Sequence, residues 1–327
     1  MEEQEKQEKQ AKYSGDWISC NGLADSVAVT VSKRKGLVMQ SIYETRAVVD
    51  DCRSQVCGGL TAGLDIWEMA ILPMILYNAE TWQDISSTTV QELEHLQTKF
   101  YKCLFAVGSG CPTPVLYLET GGILMSYRIL LKKLLFYHHL ATLPEDTLAR
   151  EVFDEQRRLA LPGLVQECQD FLVKFGITDA SKYTPYQWKG LVKSKISELN
   201  HHDILEEIKH SKKISYEEYV GQKHERKAYL SSLNISDARM KFKLNSRMTP
   251  TIQMNFPSDP EFTRQLWTCS GCIDGVDGDR VDGSRDTQEH VIICPGYAGL
   301  RENKNFDDDK DLVRYFSQVI KMRQDDI

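Results

Sequence analysis

Residues 122–142 place apolar side chains on nearly every side of a helix-length stretch: Ile123, Leu124, Ile129, Leu130, Leu131, Leu134, Leu135 and Phe136. A helix that is apolar all round is stable in water only when other elements cover it. The remaining sequence supplies helices to do so. Thr88-x-x-Gln91 and Thr89-x-x-Glu92 both have the form of a capping box. They precede Val90, Leu93, Leu96, Phe100 and Leu104, which step by three and four. The Gly108–Pro114 loop closes that helix, because its glycines and prolines cannot continue one. Helical patterns also run over 148–159, 164–175, 186–199, 204–210 and 216–233.

From Ser41 to Trp82 the chain reads as helix, glycine break and helix. Ile42, Thr45, Val48 and Val49 mark one face, Gly58, Gly59 and Gly63 punctuate, and Pro73 is expected to kink or end the second helix. Strand signals are few, and Gly and Pro fall between segments. The expected fold is therefore mainly α: a helical bundle body with a small Cys/His zinc-stabilised C-terminal module. The expected divisions are a polar N-terminal tail at 1–11, a helical region at 12–145, a connecting helical region at 146–248 and the zinc-binding module with its terminal helix at 249–327.

The 327 residues suggest about two domains with an appendix at roughly 150 residues each. No run approaches the roughly 20 apolar residues a bilayer span needs; the most apolar stretch, Ile66–Tyr77, carries Glu68 and Pro73. No membrane partner is expected. The opening MEEQEKQEKQ lacks the apolar segment of a signal peptide. The expected location is intracellular, nuclear or cytoplasmic rather than secreted, with the nine cysteines as thiols or metal ligands. Net charge is 40 − 47 = −7, so binding to nucleic acid has to rest on local basic patches rather than on the average field.

One motif carries chemistry. Cys269-Ser-Gly-Cys272 is followed after 17 residues by His290-Val-Ile-Ile-Cys294. Three thiolates and one imidazole satisfy the tetrahedral preference of Zn2+. A closed set of four protein ligands leaves no position for water, so the expected zinc is structural. The acidic loop Asp274–Asp286 does not fit an EF-hand: from Asp277, position six is Asp282, where glycine is required. Cys20, Cys52, Cys57, Cys103, Cys111 and Cys168 show no ligand spacing. His138-His139 and His201-His202 have no nucleophile to serve.

Basic residues cluster at Lys33-Arg34-Lys35, Arg157-Arg158 and Lys212-Lys213, read as solvated faces. Arg239, Lys241, Lys243 and Arg247 place four positive charges in nine residues, interleaved with Met240, Phe242 and Leu244. That alternation presents either one basic face suited to phosphate contact or an ordinary solvated run.

Several segments together resemble the C-terminal part of reverse transcriptases encoded by non-LTR retrotransposons. Ile71–Trp82 is similar to the P-x-L-Y-x-x-E-x-W segment of their thumb-like region. Lys12-Tyr-Ser-Gly-Asp16 resembles the K-Y-L-G strand that closes the palm, with Ser14 in place of leucine. Lys33–Gly36, Ile42-x-x-x-Arg46, Leu93-x-x-x-Gln97-x-x-x-Tyr101, Pro112-x-Pro114 and Glu119-Thr-Gly121 follow in the family's order, and Cys269, Cys272, His290, Cys294 and Tyr297-x-x-x-Arg301 resemble its terminal cysteine–histidine motif. The resemblance covers about residues 12–320. It implies a thumb, connection and zinc tail that contact RNA or DNA.

The family's polymerase needs carboxylates on a hairpin to hold two metal ions. Phe306-Asp-Asp-Asp309 and Val49-Asp-Asp51 match the string, but one is expected to open a helix and the other lies in a helical pattern, and the palm belongs before residue 12. The expectation is thus a non-catalytic piece or derivative. The rival expectation, favoured by the charge of −7, is a protein-interaction scaffold with a structural zinc site and no nucleic-acid role.

Overall fold

The computed structural model describes residues 10–13, 16–19, 21–51, 58–211, 214, 216–248, 291–292, 294, 297–302 and 304–325. It is mainly helical. Among the described residues, no helix is long and apolar enough to cross a membrane.

The described chain opens on an antiparallel hairpin, β1 (Gln10–Tyr13) and β2 (Asp16–Ser19), with Lys12 opposite Trp17. The expected tail at 1–11 therefore gives its last two residues to a strand. An isolated two-stranded hairpin is marginal in water, and this one is held on helix α1 (Leu23–Asp51). The Trp17 amide donates to Thr30 Oγ1 at 2.8 Å, and the Ser19 amide to Ser26 Oγ at 2.9 Å. Arg34 pairs with Asp16 and donates to the carbonyls of Ile75 and Tyr77 at 3.0 and 2.9 Å, pinning three segments together.

Helix α1 begins eighteen positions before the Ser41 expected from periodicity (41 − 23 = 18). Val27, Val31, Val38, Ile42, Thr45 and Val49 line its buried side, while Val48, expected inward, is 55% exposed. Helix α2 (Gly59–Ile66) runs through a π turn (Trp67–Ile71) into α3 (Leu72–Ile75). Pro73 thus does not end the helix. Its missing N–H and its ring would disturb an α-helical ladder, and the wider π turn immediately ahead, with the Leu72 amide donating to the Trp67 carbonyl, accommodates it.

Helix α4 (Ser87–Phe105) is capped by Ser86, whose Oγ accepts from the Thr89 amide at 3.1 Å. The capping boxes expected at Thr88 and Thr89 are therefore misplaced: both threonines lie inside the first turn, and the buried Thr89 hydroxyl bonds the cap itself at 2.9 Å. Helices α5 (Thr113–Thr120) and α6 (Met125–Ala141) follow. The all-round apolarity of α6 has a direct cause. Its first half, Met125 and Ile129, joins one core, and its second half, Leu134, Tyr137 and Ala141, joins another.

Helices α7 (Leu148–Leu159) and α8 (Leu164–Lys174) match their periodicity. Helix α9 (Pro185–Lys209) is one element where two were expected, with a complete capping box between Thr184 and Gln187. The pattern over 216–233 yields only a 3-10 turn at Tyr216–Glu218 and α10 (Tyr229–Ser232), because Gly221 takes φ +83 and the chain turns away, its Lys227 amide bonding the Glu119 carbonyl. Helix α11 (Ile235–Asn245) is capped by Asn234, and α12 (Ala298–Arg301) and α13 (Asp309–Asp325) end the described chain.

Among the described residues, three buried clusters organise these helices. The first joins residues of 27–129 with Ile204–Phe242, so it draws on both sides of the expected division at 145/146. The second spans Leu134–Ile196. The third packs Leu244 of α11 against Val291, Cys294, Tyr297 and the inner side of α13.

Candidate metal and nucleic-acid sites

Of the four expected zinc ligands, Cys269, Cys272 and His290 lie outside the described residues, as does the Asp274–Asp286 loop. Cys294 is described and fully buried in the third cluster. Its carbonyl accepts from Arg301 Nη1 at 2.6 Å, and Arg301 also donates to the Ile292 carbonyl at 2.9 Å. The Tyr315 hydroxyl bonds the carbonyl of Val291, the residue following His290. The chain on either side of Cys294 is thus clamped to α12 and α13. A thiol withdrawn from water and anchored through its own backbone suits a metal ligand, and also suits a core cysteine. Among the described residues, no group of three or more metal-ligating side chains comes together.

The expected basic run sits on α11, and the helix separates its members. Residues two apart on an α-helix diverge by about 200°, so Arg239 and Lys241 leave on opposite sides. Arg239 pairs with Asp50 of α1 at 2.6 Å and donates from Nε to the Leu104 carbonyl at 2.9 Å. Lys241 pairs with Asp309 of α13 at 2.6 Å. Both side chains are more than four-fifths buried. Phe242 stacks on Phe105 with ring centroids 4.1 Å apart. Lys243 lies further along α11, and Arg247 follows the helix with φ +54. The alternation therefore forms no single basic face. Arg239 and Lys241 act as staples from α11 to α1 and α13.

Among the other basic clusters, Arg158 pairs with Glu155 in its own helix, and Lys212-Lys213 lies outside the described residues. Lys33 and Lys35 are exposed on α1, with the Lys33 ammonium 5.1 Å from the centre of the Trp17 ring. A further basic stripe was not expected. On the outer side of α9, Tyr186, Lys189 and Lys193 are exposed, Tyr186 at 88%, and the two lysines form no ion pair with any described residue. Their spacing of three and four puts them on one face. That helical spacing was present in the sequence, but a search for contiguous basic runs passes over it.

The buried acids serve the fold. Glu94 accepts from the Tyr117 hydroxyl at 2.7 Å and from the amides of Met125 and Ser126, capping α6 from a neighbouring helix. Burial raises its pKa, against the lowering effect of those bonds and of Arg128. Glu119, 2% exposed, is likewise pushed up by burial, while bonds from Tyr229 and Asn245 and the charges of Lys227 and Lys241 oppose the rise. Asp50 and Asp51 end α1, and Asp309 opens α13, where a carboxylate suits the positive end of the helix dipole.

Compared with protein-family models, curated proteins and solved structures, the chain matches none.

Proposed function

We propose that the chain is a non-catalytic C-terminal region of a non-LTR retrotransposon reverse transcriptase, or a protein derived from one, whose helical body and structural zinc module hold RNA or DNA by its backbone. The ordered segment resemblance from Lys12 to Arg301 motivates the reading. The structural observation that supports it is the exposed Tyr186, Lys189 and Lys193 face, where two cations free of described carboxylates follow an aromatic ring along the helix. Lysines of this kind contact phosphate without reading sequence. The zinc ion, held by Cys269, Cys272, His290 and Cys294, has the role of a staple for a module too small to fold on its own core.

The test is fluorescence anisotropy of a labelled single-stranded RNA against the full chain over a range of salt. Each neutralised phosphate contributes a slope of about −0.7 in log K against log salt for single strands. The double variant Lys189→Ala, Lys193→Ala is expected to flatten the slope by about 1.4, two contacts at about 0.7 each. Binding that ignores salt, or is absent at low salt, overturns the reading. Elemental analysis of the purified chain is expected to give one zinc per molecule, and a zinc-free folded chain removes the module from the account.

The second reading, a protein-interaction scaffold, is favoured by α7. Leu148, Val152 and Leu159 share one side of that helix and are 75%, 49% and 48% exposed, an apolar stripe of the kind that meets a partner.

A further inference from the structure

Between the hairpin, the first turns of α1 and the Asn78–Gln83 turn lies an open cleft of about 450 Å³. That volume falls within the range of small-molecule sites. Trp17, Trp82, Leu23, Val27 and Gln83 supply most of its chemistry. None of these residues belongs to the zinc motif or to a basic run.

Three features of the walls specify an occupant. Trp17 is half-buried and Trp82 is 4% exposed, so two indoles line the cleft. The half-buried Gln83 amide makes no side-chain hydrogen bond among the described residues, leaving a donor and an acceptor together at the rim. Lastly, the exposed Lys33 holds its ammonium over the Trp17 ring. The carboxylate in the wall, Asp16, is neutralised by Arg34, which also lies 5.9 Å from the centre of the Trp82 ring. The cleft therefore combines indole surfaces, an unpaired amide able to bond the edge of a ring, and a cation beside its mouth. An aliphatic side chain would satisfy the first of these and leave the other two unused.

We propose that this cleft takes one unpaired base of a single-stranded nucleic acid, stacked on Trp17, with its edge at the Gln83 amide and its flanking phosphate at Lys33. The inference rests on the nucleic-acid reading above and gives it a base-binding subsite, separate from the lysines of α9.

The probes are two labelled 15-mers of one length and charge, oligo(rA) and an abasic strand with the same phosphates, titrated against the full chain. Oligo(rA) is expected to bind at least about fivefold more tightly, the low end of what one base stacked on an aromatic ring contributes. Trp17→Ala is expected to remove that difference while leaving abasic binding unchanged, and Trp17→Phe to retain most of it. Gln83→Ala, at a position outside the buried core, is expected to narrow the gap without altering the melting temperature, so a folding defect in the tryptophan variant cannot mimic the result. Equal binding of the two strands by the wild-type chain overturns the base pocket and leaves backbone binding standing. A gap that survives Trp17→Ala places base recognition elsewhere and equally refutes the pocket. If neither strand binds at low salt, both the pocket and the function proposed above fall.

Discussion

Asn200 offers the sharpest test of the packing described here. It lies in the middle of α9 with no exposed surface. Its Oδ1 accepts from the Leu124 amide at 2.9 Å, and its Nδ2 donates to the Gly122 carbonyl at 3.1 Å. Both partners belong to the turn between α5 and α6, whose Ile123 carbonyl accepts from Gln97 Nε2 at 2.9 Å and from Arg128 Nε at 3.0 Å. The turn is thus held by amides reaching from α4 and α9, at the place where α6 passes from the first core to the second. Asn200→Leu keeps the volume and removes both bonds, together with a longer one between Asn200 Nδ2 and His224 Nε2 at 3.3 Å. The Leu124 amide is then left buried without a partner, at a cost of about 1–3 kcal/mol. The Gly122 carbonyl keeps His224 close by as a second donor, so its loss adds about 1 kcal/mol. The expected destabilisation is about 2–4 kcal/mol, a fall in midpoint at unchanged slope when urea unfolding is followed by circular dichroism at 222 nm. A variant within about 0.5 kcal/mol of wild type, the range of ordinary surface changes, would show that the amide does not hold this turn.

Two glycines should respond in opposite directions. Gly121 has φ +65, and an added Cβ would stand 2.8 Å from the Arg226 amide nitrogen and 3.0 Å from the Glu225 carbonyl carbon. Neither backbone atom can step aside cheaply, so Gly121→Ala is expected to cost at least about 2 kcal/mol; Gly36, inside α1 with nothing within 4 Å, should gain about 0.5–1 kcal/mol as alanine. Thermal melts of the two variants check the signs, and two shifts in the same direction contradict the geometry. Acid should weaken the fold through His201 and His224, whose rings lie 5.7 Å apart. Burial lowers both pKa values below 6.5, aided by Lys227 at His201 and by His201 at His224. The unfolded chain therefore takes up protons first, and the contribution present above pH 6.5 is lost as pH falls. In urea midpoints measured between pH 7.5 and 5, His224→Gln is expected to flatten the decline, and an unchanged pH profile counts against the pair.

Legibility in the sequence followed which side of a helix carried the signal. The bounds of α7 and α8 were readable because Pro144, Pro162-Gly163 and Gly176 punctuate the chain around them, and the apolarity of α6 correctly announced a helix covered from several directions. The first half of α1 was missed because Lys33, Arg34, Lys35 and Gly36 occupy its outer side and mask Val27, Val31 and Val38 beneath. The join in α9 was missed because Asn200-His201-His202-Asp203 has the composition of a loop, although Asn200 points inward to tie down the α5–α6 turn. Pro73 carries the signal of a kink or an end because a π turn leaves no mark in composition. At the candidate sites the same geometry decides. Of the zinc quartet only Cys294 falls within the described residues, so spacing remains the argument for the metal. Positive charges every second residue would share a face on a strand. On α11 they separate, and Arg239 and Lys241 reach carboxylates on two different helices. Tyr186, Lys189 and Lys193 converge because their steps are those of a helix turn. If this protein grips a phosphate chain through its helices, the lysines that converge at helical spacing are better placed to do so than the denser run, whose charges at Arg239 and Lys241 are already spent inside the fold.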